Sequence, residues 1–288
     1  MTYRKILVPL RGSAADAQVL KAAFDVASAF GSHVAGLYVK PDPSTLLRHL
    51  GPAVSARVRQ EIADAASDDA RHTAEAAHAA LIHAAKVADA PVQPLAKAVA
   101  GIGASFHLHA GLTENVIVEE ARLCDLCVFA SPAEAKDFAQ LTALETVLLE
   151  GRRPLVVVPH RSATFVGAKI AIGWDDGAAA ANAVSAAVPL LKRADAVEII
   201  NVASGPMKTA QMDRLRDYLR LQGKNAVEHC INPGAKDTAT ALLEAAQMSG
   251  AGLLVIGGYG HSRLRELVLG GVTRYVLANA VMPVFMAH

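Results

Sequence analysis

The chain repeats itself, and this duplication constrains its fold more than any other feature of the sequence. Three segments of the first half recur in the second half with the same apolar pattern and similar flanking residues. The pairs are Lys5–Ser13 with Lys169–Gly177, Asp125–Ala130 with Gly252–Gly257, and Pro154–His160 with Pro283–His288. A repeat of this length predicts two copies of one fold in tandem. We predict domains over residues 1–161 and 167–288, joined by a short polar and glycine-containing connection.

Short apolar runs alternate with segments of helical period in both halves, which predicts an α/β fold. The predicted strands are Ile6–Leu10, His33–Val39, Ser105–His109, Leu126–Ala130 and Leu155–Val158, then Ile170–Trp174, Val197–Val202, Val227–Ile231, Leu253–Gly257 and Val284–Met286. The main predicted helices are Ala14–Phe30, Ser55–Asp89, Ala178–Lys192, Gln211–Gln222, Thr238–Met248 and Val272–Asn279. Five strands separated by helices favour right-handed crossovers. Each half is therefore predicted to be a doubly wound five-stranded parallel sheet of Rossmann-like type.

The segment from Gly252 to Met286 carries the strongest functional signal. An apolar run leads into Gly257-Gly258-Tyr259-Gly260, nine residues follow, and Gly270-Gly271 then opens a predicted helix. Glycine permits positive φ and close approach of main-chain N–H groups to an anion, and a helix start adds unpaired N–H groups. We predict a phosphate cradle made of main chain, with Asp175 opening into the same cleft. The alternative is that the glycines only allow close contact between helix and sheet.

The first half lacks every element of this cradle. The corresponding residues are Arg11 for Asp175, Ala130 and about Ala133 for Gly257 and Gly260, and about Leu141-Thr142 for Gly270-Gly271. Pro132 also removes a main-chain donor from the equivalent loop. We predict that the first half binds no ligand in this manner and has a supporting or partner-binding role.

These motifs make the chain resemble the universal stress protein family, in its tandem form with two such domains in one chain. The family's nucleotide-binding members carry Gly-x2-Gly-x9-Gly-Ser/Thr after the fourth strand. Gly257, Gly260 and Gly270 match this pattern, whereas Gly271 replaces the hydroxyl residue. The resemblance implies an adenine nucleotide alpha hydrolase-like fold that binds ATP or a related adenine nucleotide in the second domain.

The resemblance also implies roles for individual residues. Asp175 would hold the ribose, and the main chain of Val202 would read the adenine. The absence of a hydroxyl at Gly271 removes a contact worth about 1.5 to 3 kcal/mol, so binding is expected to be weakened, and Thr273 could supply a hydroxyl instead. Mg²⁺ could be held through water by Asp175 or Asp176. The predicted nucleotide-binding residues are Gly173, Trp174, Asp175, Val202, Ile256, Gly257, Gly258, Gly260, His261, Gly270, Gly271, Val272 and Thr273.

The implied function is a stress-response module whose bound nucleotide alters its partner surface, rather than a dedicated enzyme. The sequence has no Walker A loop and no Gly-x-Gly-x-x-Gly in the first βα turn of either half. No nucleophile and base pair is apparent, so slow ATP hydrolysis assisted by His261 is the most that we expect. The alternative function is a nucleotide-free interaction or chaperone-like stress protein.

Charge and hydropathy set further limits on partners. The formal net charge is +1, so no broad basic field predicts nucleic acid as a partner. No apolar run approaches the roughly 18 residues of a membrane-spanning helix, and Met1–Leu10 does not resemble a signal peptide. We therefore expect a cytoplasmic protein that binds neither nucleic acid nor membrane. The family resemblance also implies that the fifth strands of the two halves, Leu155–Val158 and Val284–Met286, could pair within the chain, and further self-association stays open.

Two side-chain pairs suggest alternative chemistry. Cys124 and Cys127 form a Cys-x-x-Cys, which would suit a redox or metal site, but without a second cysteine pair we interpret them as buried structural residues. His107 and His109 lie on one face of a predicted strand, and no nearby spacing supplies the further ligands that a metal needs.

Overall fold

The computed structural model describes residues 2–41, 54–132, 138–160, 164–203, 209–258 and 271–288. The predicted loop positions Gly260, His261 and Gly270 lie outside these residues, as does about Ala133 in the first half. The strand and helix bounds below refer to this part of the chain.

Ten strands form the centre of the fold, five from each half. They are β1 Lys5–Leu10, β2 His33–Pro41, β3 Gly103–Gly111, β4 Leu126–Ala130, β5 Leu155–Val158, β6 Ile170–Gly173, β7 Val197–Val202, β8 Ala226–Ile231, β9 Leu253–Gly257 and β10 Val284–Ala287. The predicted β3 was too short, because β2 pairs with it from His33 against Gly103 to Pro41 against Gly111. Hydrogen bonding to β2 extends β3 at both ends beyond the predicted segment Ser105–His109.

Eight α-helices connect the strands. They are α1 Ala15–Phe30, α2 Ala56–Val87, α3 Thr113–Ala121, α4 Phe138–Leu149, α5 Ala178–Arg193, α6 Thr209–Leu221, α7 Thr238–Met248 and α8 Gly271–Asn279. Local sequence sets several of their ends. Gly31 closes α1 in the left-handed region with φ 64°. The Asp237 carboxylate caps α7 by accepting from the Thr240 N–H at 2.9 Å.

All ten strands belong to one sheet, in the order β3-β2-β1-β4-β5-β10-β9-β6-β7-β8. Strand pairs within each half are parallel. At the centre β5 and β10 pair antiparallel, with Val157 opposite Val284. The predicted α/β fold with two doubly wound parallel halves is confirmed, and the antiparallel pair makes a single sheet of them.

Apolar layers cover both faces of the sheet, as parallel strands require. One layer joins alternate residues of β1, β4, β6 and β9 to α1, α2, α5 and α6. The other packs the intervening residues against α3, α4, α7 and α8. Alanine, valine, leucine and isoleucine dominate both layers, as expected for a chain with only 5% aromatic residues.

Contacts outside the sheet also join the two halves. The Tyr3 hydroxyl donates to the Ala186 carbonyl of α5 at 2.8 Å, and the Arg193 guanidinium lies 4.8 Å from the centroid of the Phe30 ring. None of the helices in the described residues has the length and apolar character needed to cross a bilayer.

Candidate functional site

The predicted site lies at the carboxyl ends of β6, β7 and β9, where the winding of the second half changes direction. β6 lies between β9 and β7, with Ile172 opposite both Val255 and Ile199. Connections from the two sides of β6 leave in opposite directions, which opens a crevice at this edge of a doubly wound sheet. Asp175 follows β6, Val202 ends β7 and Gly257 ends β9, so the structure brings these residues to one edge.

Asp175 is exposed on the turn between β6 and α5. Its Oδ1 accepts a hydrogen bond from the Gly177 N–H at 2.8 Å, which orients the carboxylate at the start of α5. A Cβ at Gly177 would lie 2.9 Å from the same oxygen, so a larger residue there would require the Asp175 carboxylate to move. Sequence reasoning missed Gly177, although its place two residues after the aspartate is a recognisable turn signal.

The next residue, Asp176, forms an ion pair with Arg214. Its two carboxylate oxygens lie 3.0 and 2.8 Å from Nη2 of Arg214 on α6, and its backbone has φ 61°. Of the two carboxylates proposed for Mg²⁺, Asp175 is therefore the better placed. Sequence reasoning also missed Arg214, and no local pattern could identify it, since the pairing spans 38 positions.

Trp174 and Asn201 fix the end of β6 against β7. Trp174 is 9% exposed, and its main-chain N–H donates to the Ile200 carbonyl at 2.9 Å. Asn201 Nδ2 donates to the Trp174 carbonyl at 2.7 Å. The Trp174 indole N–H and Asn201 Oδ1 are buried with no hydrogen-bond partner among the described residues. Two buried polar groups beside the crevice thus retain unmet hydrogen-bonding capacity.

Val202 presents main-chain groups beyond the end of β6. In a parallel ladder alternate residues direct their N–H and C=O groups to the same neighbouring strand. Because the Ile200 carbonyl bonds toward β6, the groups of Val202 point to the same side, and β6 has ended at Gly173. This geometry suits the predicted main-chain recognition of a flat heterocycle.

Packing explains the glycine at position 257. The sequence analysis noted that glycine permits positive φ, but the φ of Gly257 lies outside the left-handed region. A Cβ at Gly257 would lie 2.5 Å from the Ala180 nitrogen and 2.7 Å from the Ala179 carbonyl carbon. Glycine is required because the first turn of α5 packs directly on the end of β9, as the alternative interpretation supposed. That contact also brings the amino end of α5 to the crevice.

Gly258 does not offer its N–H group to a ligand. The Gly258 N–H donates to the Ala287 carbonyl at 2.9 Å, and His288 Nδ1 lies 3.0 Å from the Gly258 carbonyl oxygen. The Gly258 N–H is therefore not a donor of the predicted phosphate cradle, because the main chain at Gly258 continues the pairing of β9 with β10. Ile256 and Gly173 pack together below the crevice, since a Cβ at Gly173 would lie 2.9 Å from Ile256 Cγ2.

The start of α8 is the predicted helix-end anion site. Gly271 is exposed, and among the described residues no atom lies within 4 Å of the position a Cβ would take. Val272 is 40% exposed, whereas Thr273 is 4% exposed. The expectation that Thr273 could supply the missing hydroxyl is wrong for this conformation, because its side chain is packed inside the helix layer.

In the equivalent region of the first half, side chains of the chain itself bind the groups at the strand ends, beside a cavity of about 220 Å³ whose lining includes Arg11, Tyr38 and Gln140. The Asp16 carboxylate accepts from the Arg11 N–H at 3.1 Å and the Gly12 N–H at 2.8 Å. Burial raises the pKa of Asp16, and these main-chain donors oppose the shift. Gln140, which is 9% exposed, accepts from Arg11 Nη1 at 2.5 Å and donates to the Ala130 carbonyl. The Asp16 carboxylate and the Gln140 side-chain amide thus form hydrogen bonds with groups of Arg11, Gly12 and Ala130 that a ligand in this crevice would otherwise contact.

The redox interpretation of the cysteines has little support from their surroundings. Cys124 and Cys127 are free and buried. Burial raises the pKa of the Cys124 thiol to about 11 and that of Cys127 well above its usual value. Both thiols are therefore protonated near neutral pH and poor nucleophiles. Within the described ranges no group of three histidine, cysteine or acidic side chains could hold a metal ion.

Comparisons with known proteins agree with this architecture. Residues 168–288 match the family model described as "Universal stress protein family". No curated protein matches the chain significantly. A solved universal stress protein from Archaeoglobus fulgidus DSM 4304 has a TM-score of 0.69 and 18% identity, with 99% of this chain and 96% of that chain covered. A putative universal stress protein from Pseudomonas aeruginosa UCBPP-PA14 has a TM-score of 0.60 and 17% identity, covering 99% and 93%.

Proposed function

We propose that the second half, of which residues 168–288 match the universal stress protein family model, binds ATP or a related adenine nucleotide and acts as a regulatory module. The observation that carries the proposal is the convergence of Asp175, the main chain of Val202 and the start of α8 at the exposed Gly271 at one edge of the sheet. Asp175 would bind the ribose hydroxyls and Val202 the adenine. The N–H groups at the starts of α8 and α5 would face the phosphates.

The chemistry of binding needs no catalytic group. A carboxylate accepts hydrogen bonds from two neighbouring hydroxyls, and helix N-termini favour negative charge through their dipoles. Mg²⁺, if bound with the nucleotide, would neutralise phosphate charge and reach the exposed Asp175 carboxylate through water. The described residues offer no nucleophile and base pair at this edge, so we propose binding and conformational signalling rather than turnover.

We propose that the first half supports the second rather than sharing its ligand. Asp16, Arg11 and Gln140 satisfy one another and the local main chain there. The β5–β10 pairing connects the halves directly, so a change at the second site could reach partners bound on the first. The free buried cysteines are compatible with a cytoplasmic location, which belongs to the same proposal.

Two observations favour the second candidate, a nucleotide-free interaction protein. Packing on α5 explains Gly257 without any ligand, and Gly258 uses its N–H within the sheet. Under this candidate the crevice would bind no nucleotide, and the protein would act only through a surface that binds a partner.

Isothermal titration of the full chain with ATP, with and without Mg²⁺, separates the two candidates. The first predicts saturable binding that Asp175→Ala weakens by about tenfold to a hundredfold, as loss of a charged hydrogen bond implies. Trp174, the only tryptophan, precedes Asp175 and gives an independent fluorescence readout.

Two controls make the titration specific. Asp195→Ala removes an exposed carboxylate between α5 and β7 and should leave affinity unchanged. Arg11→Ala alters the equivalent turn of the first half and should also have no effect. No heat with the native protein, or equal losses for Asp175→Ala and Asp195→Ala, would favour the nucleotide-free candidate.

A further inference from the structure

The second half contains a cavity that the proposed nucleotide site does not use. It has a volume of about 580 Å³ and lies between the sheet face of β7 and β8 and helix α7, with Lys169 at one end. Apolar walls come from Ile200, Ile231, Ala245 and Met248, and charged groups lie at the floor and rim. The volume is in the range of small-molecule sites, which combine apolar walls with a few convergent polar groups.

A buried carboxylate forms the floor. Glu198 of β7 is 8% exposed, and its Oε1 accepts from Lys169 Nζ at 3.0 Å. Lys169 Nζ also donates to the Ser249 carbonyl at the end of α7, at 2.8 Å. Glu198 Oε2 lies 3.2 Å from His229 Nε2 without hydrogen-bond geometry, and neither atom has another hydrogen-bond partner in the described part of the chain. A buried carboxylate with one unsatisfied oxygen is costly unless something else satisfies it.

The duplication indicates that the fold itself does not need this carboxylate. Leu7 pairs with Ala35 in the first half, and Ala171 at the matching position of the repeat pairs with Glu198. The first half therefore builds the same sheet with alanine where the second half buries an acid. Lys5, the counterpart of Lys169, instead approaches Glu120 on a helix, at 3.8 Å. The acid on the sheet floor is a feature of the second half beyond what its fold requires.

We propose that this cavity binds a small zwitterion of the amino-acid class with an aliphatic side chain. The charges around it occur as opposite pairs, Lys169 with Glu198 on the floor and Lys236 with Glu244 on the rim. An ion of one sign would meet compensating charges, whereas a zwitterion can direct its ammonium toward Glu198 and its carboxylate toward Lys169 and His229. The apolar walls would then contact its side chain.

Titration of the full chain with leucine, isoamylamine and isocaproate tests the ligand class. The two analogues keep the branched carbon body of leucine but lack its carboxylate or its ammonium group, respectively. We expect saturable leucine binding and at least about tenfold weaker binding of each analogue. No binding of leucine would overturn the proposal, and so would either analogue binding as tightly as leucine.

Variants locate the binding. Glu198→Gln keeps the shape of the floor and removes its charge, and Ala245→Leu fills the cavity without touching the ion pair, so both should weaken leucine binding at least about tenfold. Glu228→Gln is the matched control, because Glu228 lies on β8 opposite Ile199, on the other face of the sheet from Glu198, where it pairs with Arg216. Binding that survives Ala245→Leu in a folded protein would overturn the assignment, even if Glu198→Gln fails to fold. Asp175→Ala should leave leucine binding intact, so the result is separable from the nucleotide proposal.

Discussion

Gly257→Ala tests whether this glycine is required for packing. The added Cβ would lie 2.5 Å from the Ala180 nitrogen and 2.7 Å from the Ala179 carbonyl carbon, against an ordinary contact of at least 3.4 Å. Both atoms belong to the main chain of α5, so no side chain can rotate away and the helix must retreat by about 1 Å. The φ of Gly257 suits alanine, so the whole cost is steric.

Overpacking of this kind costs about 1 to 3 kcal/mol. For a domain of this size, each kcal/mol lowers the melting temperature by about 2 to 4 °C. We therefore expect Gly257→Ala to melt about 2 to 12 °C below the native protein. Thermal unfolding followed by the fluorescence of Trp174 reports on the second half, because this is the only tryptophan.

Gly271→Ala is the matched control. No atom of the described residues lies within 4 Å of the Cβ position at Gly271, so the same glycine-to-alanine change there should alter stability by less than about 0.5 kcal/mol. If the two variants melt at the same temperature, the packing explanation of Gly257 is refuted. In that case the glycine would have to be explained by a ligand or by the loop that follows it.

Three further predictions concern other parts of the chain. Burial lowers the pKa of His33 and His107, which are joined through the Ser105 hydroxyl at 2.8 Å on each side. Their contribution to stability is complete above about pH 6.5 and is lost as pH falls through the lowered folded values. The urea midpoint should therefore drop on acidification, and a double His33→Gln, His107→Gln variant should drop less. A thiol reagent should label only Cys230 in the native protein, since it is exposed and the other two cysteines are buried; rapid labelling of three thiols would contradict this. Tyr3→Phe removes a hydrogen bond to α5 and should cost about 1 kcal/mol in urea unfolding, and an unchanged midpoint would show that this bond contributes nothing.

The antiparallel β5–β10 pair gives the chain a property that neither half has alone. It places the short fifth strand of each half at the centre of the sheet, so that only β3 and β8 remain as edges among the described strands. Exposed edges favour unwanted association, and joining the halves removes two of them. The absence of the glycine motif from the first half can then be tolerated, because that half still supplies sheet and core.

The sequence by itself determined the element types, the duplication and the neighbourhood of the site. Apolar periodicity is a local property, and the strand order of a doubly wound sheet follows from short right-handed crossovers. The meeting of Asp175 and Gly257 at one edge could therefore be predicted from their places after β6 and β9.

Only the tertiary structure decided what each residue does there. Gly257 contacts α5, the Gly258 N–H bonds to Ala287, and Thr273 is buried. The partners of Glu198 likewise come from residues about thirty positions away in each direction. Such contacts depend on how packed elements approach one another to within an ångström, and no local pattern records that distance.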